Sequence, residues 1–162
     1  MESYKELKKL QEWKELYKSS DQRPAEAKVD YNVTKECGSD GLVIYSGCKI
    51  NGQKDGYGKE FYPQGKMKYE GSYKNDKFNG EGKFWTEEGI LKYKGTFVDN
   101  QKTGYGSLYY PLGHLQYKGQ VTNGVYNGNG TYYFKSGLPM YMGQFIDGRR
   151  EGYGKEYSQS NI

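Results

Sequence analysis

The stretch GYGKEFYPQGKMKYEGSYKND, residues 56–76, decides the fold because it sets glycine and aromatic residues side by side in a fixed order. Glycine weakens regular secondary structure, whereas tyrosine packs with a large apolar area and a polar tip. Tyr69, Gly71 and Tyr73 lie two positions apart, and this period places their side chains on one face of a β-strand. The stretch therefore predicts two short strands joined by a turn at Gly65.

The same order of residues recurs every 24 positions through most of the chain. The five consecutive units open with Tyr45, Tyr69, Tyr93, Tyr117 and Tyr141. In each unit a glycine follows two positions after the tyrosine, a Gly-x-Gly begins at position eleven and an aromatic residue stands at position sixteen. Asn, Asp and Gly residues between the two strand-like runs favour tight hairpin turns. The repeat therefore predicts five β-hairpins in one antiparallel meander.

The spacing also predicts a register for this meander. If each hairpin turn is centred on its Asn/Asp segment, the first tyrosine of a unit pairs with the aromatic residue sixteen positions later, which then also faces the tyrosine of the next unit. One face would carry a ladder of rings at the strand separation of about 4.8 Å, with neighbouring glycines making room for the rings. The predicted ladder comprises Tyr45, Phe61, Tyr69, Tyr73, Trp85, Tyr93, Phe97, Tyr109, Tyr117, Tyr133, Tyr141, Phe145 and Tyr157.

This pattern resembles the MORN (membrane occupation and recognition nexus) repeat, which reads roughly Tyr-x-Gly-x-aromatic, an Asn/Gly turn and Gly-x-Gly-x-aromatic. Residues 45–157 match it in five units, although Lys49 and Val121 replace the third ring of the first strand in units one and four. The resemblance implies an all-β fold, a single-layer, elongated and twisted antiparallel sheet with a groove along one face. We expect residues 42–162 to form this sheet.

Residues 1–20 differ from the repeat and predict one amphipathic α-helix. Its apolar stripe consists of Leu7, Leu10, Trp13 and Tyr17. A helix of this length is marginally stable alone, so the stripe is expected to dock. The stripe is expected either to pack on the chain's own sheet or to bind another protein through Trp13. The alternating acidic and basic residues of the helix disfavour binding to a membrane surface. Residues 21–41 are expected to be an extended linker.

The chain offers few residues for catalysis or metal binding. Its 162 residues contain one histidine and two cysteines, fewer than the four ligands of a structural zinc site. The Gly-x-Gly pairs lack the strand–loop–helix context and the Lys-Ser/Thr ending of phosphate-binding loops. The sequence therefore predicts a protein that is not an enzyme and has no cofactor and no metal.

The composition also bears on the location of the protein. Two cysteines are too few for a disulfide framework and favour a reducing compartment. The charged N-terminus does not resemble a secretory signal, and no apolar run is long enough to span a bilayer. We therefore expect a cytoplasmic protein. The net charge of +4 is too small to require nucleic acid as a partner.

Two functions are compatible with these features. A single-layer sheet leaves its rings exposed, and large exposed apolar patches mark binding sites, so the first is a scaffold or adaptor that holds a helix or extended segment of a partner protein in the groove. Pairing of free sheet edges would also allow a homo-oligomer. The resemblance implies a component of a cytoskeletal or ciliary assembly, such as an axonemal radial spoke.

The second function is a peripheral membrane adaptor. Lys59, Lys83 and Lys155 share one offset within their units, and such a row could meet anionic phospholipid. Ser107 and Thr131 interrupt the row. Protection of a strand face or edge against aggregation is the favoured explanation of these lysines, so lipid binding is the second choice.

Overall fold

The computed structural model describes residues 31–159, which form one antiparallel sheet of eleven strands in chain order. The strands are β1 (Tyr31–Cys37), β2 (Val43–Ile50), β3 (Gln53–Phe61), β4 (Met67–Lys74), β5 (Lys77–Trp85), β6 (Leu91–Val98), β7 (Gln101–Tyr109), β8 (Leu115–Thr122), β9 (Val125–Tyr133), β10 (Pro139–Ile146) and β11 (Arg149–Glu156). The predicted all-β meander is therefore confirmed. The predicted helix with its docking residues Leu7, Leu10, Trp13 and Tyr17 lies outside the described residues.

The first strand lies in the segment that the sequence analysis assigned to a linker. Residues 31–37 pair with β2 along their whole length, from Tyr31 opposite Ile50 to Cys37 opposite Val43. Glu36 on β1 forms an ion pair with Lys49 on β2. An otherwise free edge of β2 thus gains a complete set of backbone partners, which explains why the sheet has eleven strands and not ten.

Each hairpin closes through a two-residue turn of the predicted kind. In unit two Asn75 and Asp76 have φ angles of 49° and 65°. The other turns are Asn51-Gly52, Asp99-Asn100, Asn123-Gly124 and Asp147-Gly148, all with positive φ at both positions. Such turns match the twist of the strands they join, so the prediction from the Asn, Asp and Gly residues is confirmed.

The predicted ring register is wrong by one residue. Tyr69 pairs with Phe84, fifteen positions later, and not with Trp85. The register shifts between Gly71 and Tyr73, opposite a bulge on β5 that contains Gly80 at a φ of 104°. Extra residues in a bulge change which positions face each other.

The same shift affects the sixteenth position of every unit. The first tyrosines of the other units pair with Glu60, Leu108, Tyr132 and Glu156. Successive side chains of a strand point to opposite faces, so the residues at position sixteen lie on the face away from the buried tyrosines. These residues are Phe61, Trp85, Tyr109, Tyr133 and Tyr157.

The core consists of tyrosine rings that lie on glycine backbone. Tyr69 is fully buried, and its ring covers Gly71 and Gly82, where an added Cβ would overlap the ring atoms. Its hydroxyl donates a 2.9 Å hydrogen bond to the backbone oxygen of Ser72. Tyr73 meets the same ring edge-on, at 5.1 Å between centroids. The predicted role of glycine, to make room for the rings, is thereby confirmed.

Candidate binding face

The face that carries Tyr45, Tyr69, Tyr93, Tyr117 and Tyr141 is called the aromatic face. Eight residues of the predicted ladder are buried on it: Tyr45, Tyr69, Tyr73, Tyr93, Phe97, Tyr117, Tyr141 and Phe145. These rings form the core of the sheet. A partner that binds this face would first meet the side chains that lie above the rings. Direct contact between a partner and the buried rings stays a prediction.

A second set of side chains covers the buried rings, and we call it the outer layer. It consists of the residues nine and fifteen positions after the first tyrosine of each unit. The first row is Lys54, Phe78, Lys102, Tyr126 and Arg150, and the second row is Glu60, Phe84, Leu108, Tyr132 and Glu156. Apart from Leu108, which is itself buried, the outer layer is the part of the aromatic face that a partner would reach first.

The first row alternates between a cation and an aromatic ring along the sheet. Phe78 stacks on the ring of Tyr69 at 3.8 Å between centroids, and Tyr126 stacks on Tyr117 at 4.2 Å. In units one, three and five a cation takes the place of this ring. In unit one, for example, the Lys54 ammonium lies 4.8 Å from the centroid of the Tyr45 ring. A ring and a cation both find a favourable surface on an aromatic face, so the fold accepts either at this position.

The cation in unit one is neutralised within the chain. Glu60 accepts hydrogen bonds from Lys54 at 2.7 Å, from Lys68 at 2.6 Å and from the Tyr73 hydroxyl at 3.2 Å. Burial acts to raise the pKa of the Glu60 carboxyl, but the hydrogen bonds and charges of the two lysines outweigh it and lower the pKa. In unit five Arg150 forms an ion pair with Glu156 in the same arrangement.

Within residues 31–159, the cation in unit three, Lys102, has no such counter-charge. The Lys102 ammonium lies 5.3 Å from the Phe84 ring and 5.6 Å from the Tyr93 ring, and the second-row residue of its unit is Leu108. Burial, and then the positive charge of Lys92, lower the pKa of Lys102. Among residues 31–159, neither lysine forms an ion pair with a carboxylate.

A depression lined mainly by aromatic side chains opens farther along the aromatic face, with Tyr126 on β9, two strands from Lys102 on β7. It has a volume of about 390 Å³ and is lined by Tyr110, Tyr126, Tyr132, Met140, Phe145, Gly148 and Arg150. Tyr126 and Tyr132 meet edge-on at 5.8 Å on one side, and Arg150 closes the other through its contact with the Met140 sulfur. The depression therefore offers apolar and aromatic contacts with one polar rim.

The lysines predicted to contact lipid lie on the opposite face. Lys59 and Lys83 both approach Glu70, at 3.9 Å and 3.2 Å. The Lys155 ammonium lies 4.9 Å from the centroid of the Tyr157 ring. A carboxylate within the row reduces its positive potential toward anionic headgroups, and contact of this row with lipid stays a prediction.

The MORN repeat model matches residues 45–67, 69–89, 93–113, 117–138 and 141–161. The chain belongs to the MORN repeat family. The resemblance drawn from the 24-residue period is thus confirmed over all five units. A search of curated proteins returned no match.

MORN repeats form a non-enzymatic repeat family whose members interact with proteins or with membrane lipids, and the chain is an interaction protein of this broad kind. Within residues 31–159, no helix is long and apolar enough to cross a membrane. In the same part of the chain, no three His, Cys, Asp or Glu side chains come together as a metal site.

The outer layer is the part of the MORN sheet that the sequence analysis missed. A search for a repeat selects positions that are identical in every unit, whereas position nine changes between lysine, phenylalanine, tyrosine and arginine. The sequence nevertheless contained a signal for the outer layer. Position nine holds only cations or aromatic rings in all five units, and both kinds of side chain pack on an aromatic face.

Proposed function

We propose that the protein is a scaffold or adaptor without catalytic activity, which binds a partner protein through the outer layer of its aromatic face. The observation that carries this proposal is the open, aromatic-lined depression around Tyr126 and Tyr132, above a core that is already buried. Apolar side chains that the fold leaves uncovered mark interaction sites. Tyrosine suits such a surface because it gives stiff contact area with a polar tip.

The N-terminal segment is the second element of the proposed function. The stripe Leu7, Leu10, Trp13 and Tyr17 would form one face of a helix, and such a face docks either on its own sheet or on the partner. The proposed assembly is cytoskeletal or ciliary, radial-spoke-like, in the cytoplasm. Only the likeness to MORN proteins supports that placement, which is an argument by analogy. The edge strands β1 and β11 allow self-association as a variant of the same function.

A peripheral membrane adaptor is the alternative. The alignment of Lys59, Lys83 and Lys155 on one face supports it. The salt bridges that Lys59 and Lys83 make with Glu70 weigh against it.

Affinity capture from a lysate of the source cells separates these functions. The baits are the full chain, the chain without residues 1–20, the double variant Tyr126→Ser/Tyr132→Ser and the triple variant Lys59→Gln/Lys83→Gln/Lys155→Gln, each checked for native circular dichroism. A partner protein should be lost with the tyrosine variant and kept with the lysine variant. Flotation with anionic vesicles at low and physiological salt tests the lipid function, since electrostatic binding is sensitive to salt. Vesicle binding lost only in the lysine variant would replace the scaffold proposal with the membrane adaptor.

A further inference from the structure

Lys102 of the outer layer and the nearby Lys92 form no ion pair with a carboxylate among residues 31–159, although the repeat has a place for one. In unit one, Glu60 at position fifteen neutralises Lys68, which stands eight positions later. In unit two the same two positions are Phe84 and Lys92. The cation is kept and the acidic residue is replaced by the Phe84 ring, and the Lys102 ammonium lies 5.3 Å from the centroid of that ring. The positive charge of Lys92 also acts on Lys102 and lowers its pKa.

The fold does not require a lysine at position 102. Phe78 and Tyr126 occupy the equivalent position in the neighbouring units and stack on the ring below. A partly buried ammonium without a counter-ion is less favourable than either ring, because burial removes water from the charge. A carboxylate brought by another molecule would compensate this cost at the centre of the face.

The strand order sets the spacing between Lys102 and the aromatic-lined depression. Tyr126 occupies in unit four the position that Lys102 has in unit three, so two strand separations, about 10 Å, lie between them. A helix rises about 1.5 Å per residue, and 10 Å corresponds to about seven residues, or two turns on one face. In an extended segment the same distance is about three residues, which places the two side chains on opposite faces.

We propose that the outer layer binds a helix of a partner protein that presents a carboxylate to Lys92 and Lys102 and, seven residues away, a large apolar side chain to the depression around Tyr126 and Tyr132. This inference rests on the proposed function and specifies the chemistry of the partner. Charge complementarity and the spacing of the two contacts carry it.

Selection from a phage-displayed library of helical peptides tests the proposal on the full chain. The targets are the wild type, Lys102→Glu, Tyr132→Arg and the control Lys94→Glu, which changes a lysine on the opposite face of strand β6. Wild type and Lys94→Glu should select Asp or Glu seven residues from an aromatic or large aliphatic residue. Lys102→Glu should select Lys or Arg at the acidic position, and the best wild-type peptide should bind it about tenfold or more weakly.

The remaining outcomes distinguish failure of this inference from failure of the proposed function. Selected peptides that lose binding to Tyr132→Arg but show no acidic preference would overturn the inference and leave the scaffold function intact. Peptides insensitive to both Tyr132→Arg and Lys102→Glu would overturn both. A synthetic peptide of residues 1–20 that binds the face at equal strength would make residues 1–20, of the same chain or of a second copy, the occupant. If phosphatidylserine vesicles bind the wild type but not Lys102→Glu, the occupant of this face is a lipid headgroup. Either result contradicts the inference.

Discussion

A methyl group on Gly71 would stand 2.6 Å from the hydroxyl oxygen of Tyr69 and 2.5 Å from the backbone oxygen of Glu81. Both distances are far inside van der Waals contact. The tyrosine ring is fully buried and its hydroxyl is held by the Ser72 backbone oxygen, so it cannot move aside without losing its own contacts. The buried position of each tyrosine ring in the repeat therefore depends on the absence of a side chain at the glycines below it.

Substitution Gly71→Ala is expected to destabilise the sheet by about 3 kcal/mol, because the added methyl group displaces a buried ring. Urea unfolding followed by circular dichroism measures the change. The matched control is Gly124→Asn, a turn position with a φ of 80° and no atom within 4 Å of an added Cβ. Asn100 fills the same turn position in unit three, so the control should change stability by less than about 0.5 kcal/mol. Equal losses in the two variants would contradict this packing argument.

The sequence was sufficient to predict the hairpin meander, because each turn and each tyrosine–glycine pair depends on neighbouring residues only. It was not sufficient for the register. The ring at position sixteen is aromatic in every unit, and Trp85 therefore seemed a better partner for Tyr69 than Phe84. The bulge that decides between them is marked by the first glycine of each Gly-x-Gly, such as Gly80, whose positive φ is typical of a bulge.

The candidate site was less predictable than the fold. Eight of the thirteen rings that the sequence identified form the core, and the surface above them is set by positions that vary between units. Whether Lys102 has a counter-ion depends on Leu108 and Phe84, which lie in different units. Such a relationship between strands becomes visible only when the register is known.

Alkaline pH is expected to unfold the protein through its core tyrosines. Burial, and then the charge of Glu81, raise the pKa of Tyr93 to about 12, and burial raises that of Tyr117 to about 12. A pKa that is higher in the folded state stabilises the protein below the unfolded value of about 10, and this stability is lost as the pH rises through 12. The loss of β-sheet circular dichroism and the late ultraviolet absorbance of phenolate should therefore coincide above pH 10.

The variant Tyr93→Phe tests this linkage. It should be about 1 kcal/mol less stable at neutral pH, because the 3.1 Å hydrogen bond to the Thr96 backbone oxygen is lost. Its stability should then fall less steeply above pH 10, since one titrating group is absent. Tyr105→Phe, at a position that is 59% exposed, should follow the wild-type profile. A Tyr93→Phe profile parallel to the wild type would exclude the ring as a source of the alkaline transition.

Glu60 is expected to make the first unit sensitive to acid. Its pKa is lowered in the folded state, so its contribution is present above the ordinary value of 4.5 and is lost as the pH falls through the lower folded value. Glu60→Gln should cost about 2 kcal/mol at neutral pH, because two charged hydrogen bonds are weakened, and should flatten the dependence of the unfolding free energy on pH below 4.5. Glu156→Gln, whose carboxylate is 68% exposed, should change stability little. Similar acid profiles for wild type and Glu60→Gln would contradict this assignment.

Lys102→Phe is expected to stabilise the protein while it removes acidic-helix binding. The new ring would stack on Tyr93 as Phe78 stacks on Tyr69, and an aromatic pair contributes about 1 kcal/mol. The unpaired charge disappears at the same time. The urea midpoint should therefore rise, while the affinity for the peptides selected on wild type falls, because a residue placed for binding is often unfavourable for folding.

The control for this trade-off is Lys54→Phe, the same substitution at the same position of unit one. That lysine is paired with Glu60 at 2.7 Å, so the variant should lose about 1 kcal/mol of stability by leaving the carboxylate with one partner fewer. It should keep its affinity for the peptides, because the centre of the outer layer is unchanged. Equal destabilisation by Lys102→Phe and Lys54→Phe would show that Lys102 is a structural residue. It would contradict the proposal that Lys102 binds the carboxylate of a partner.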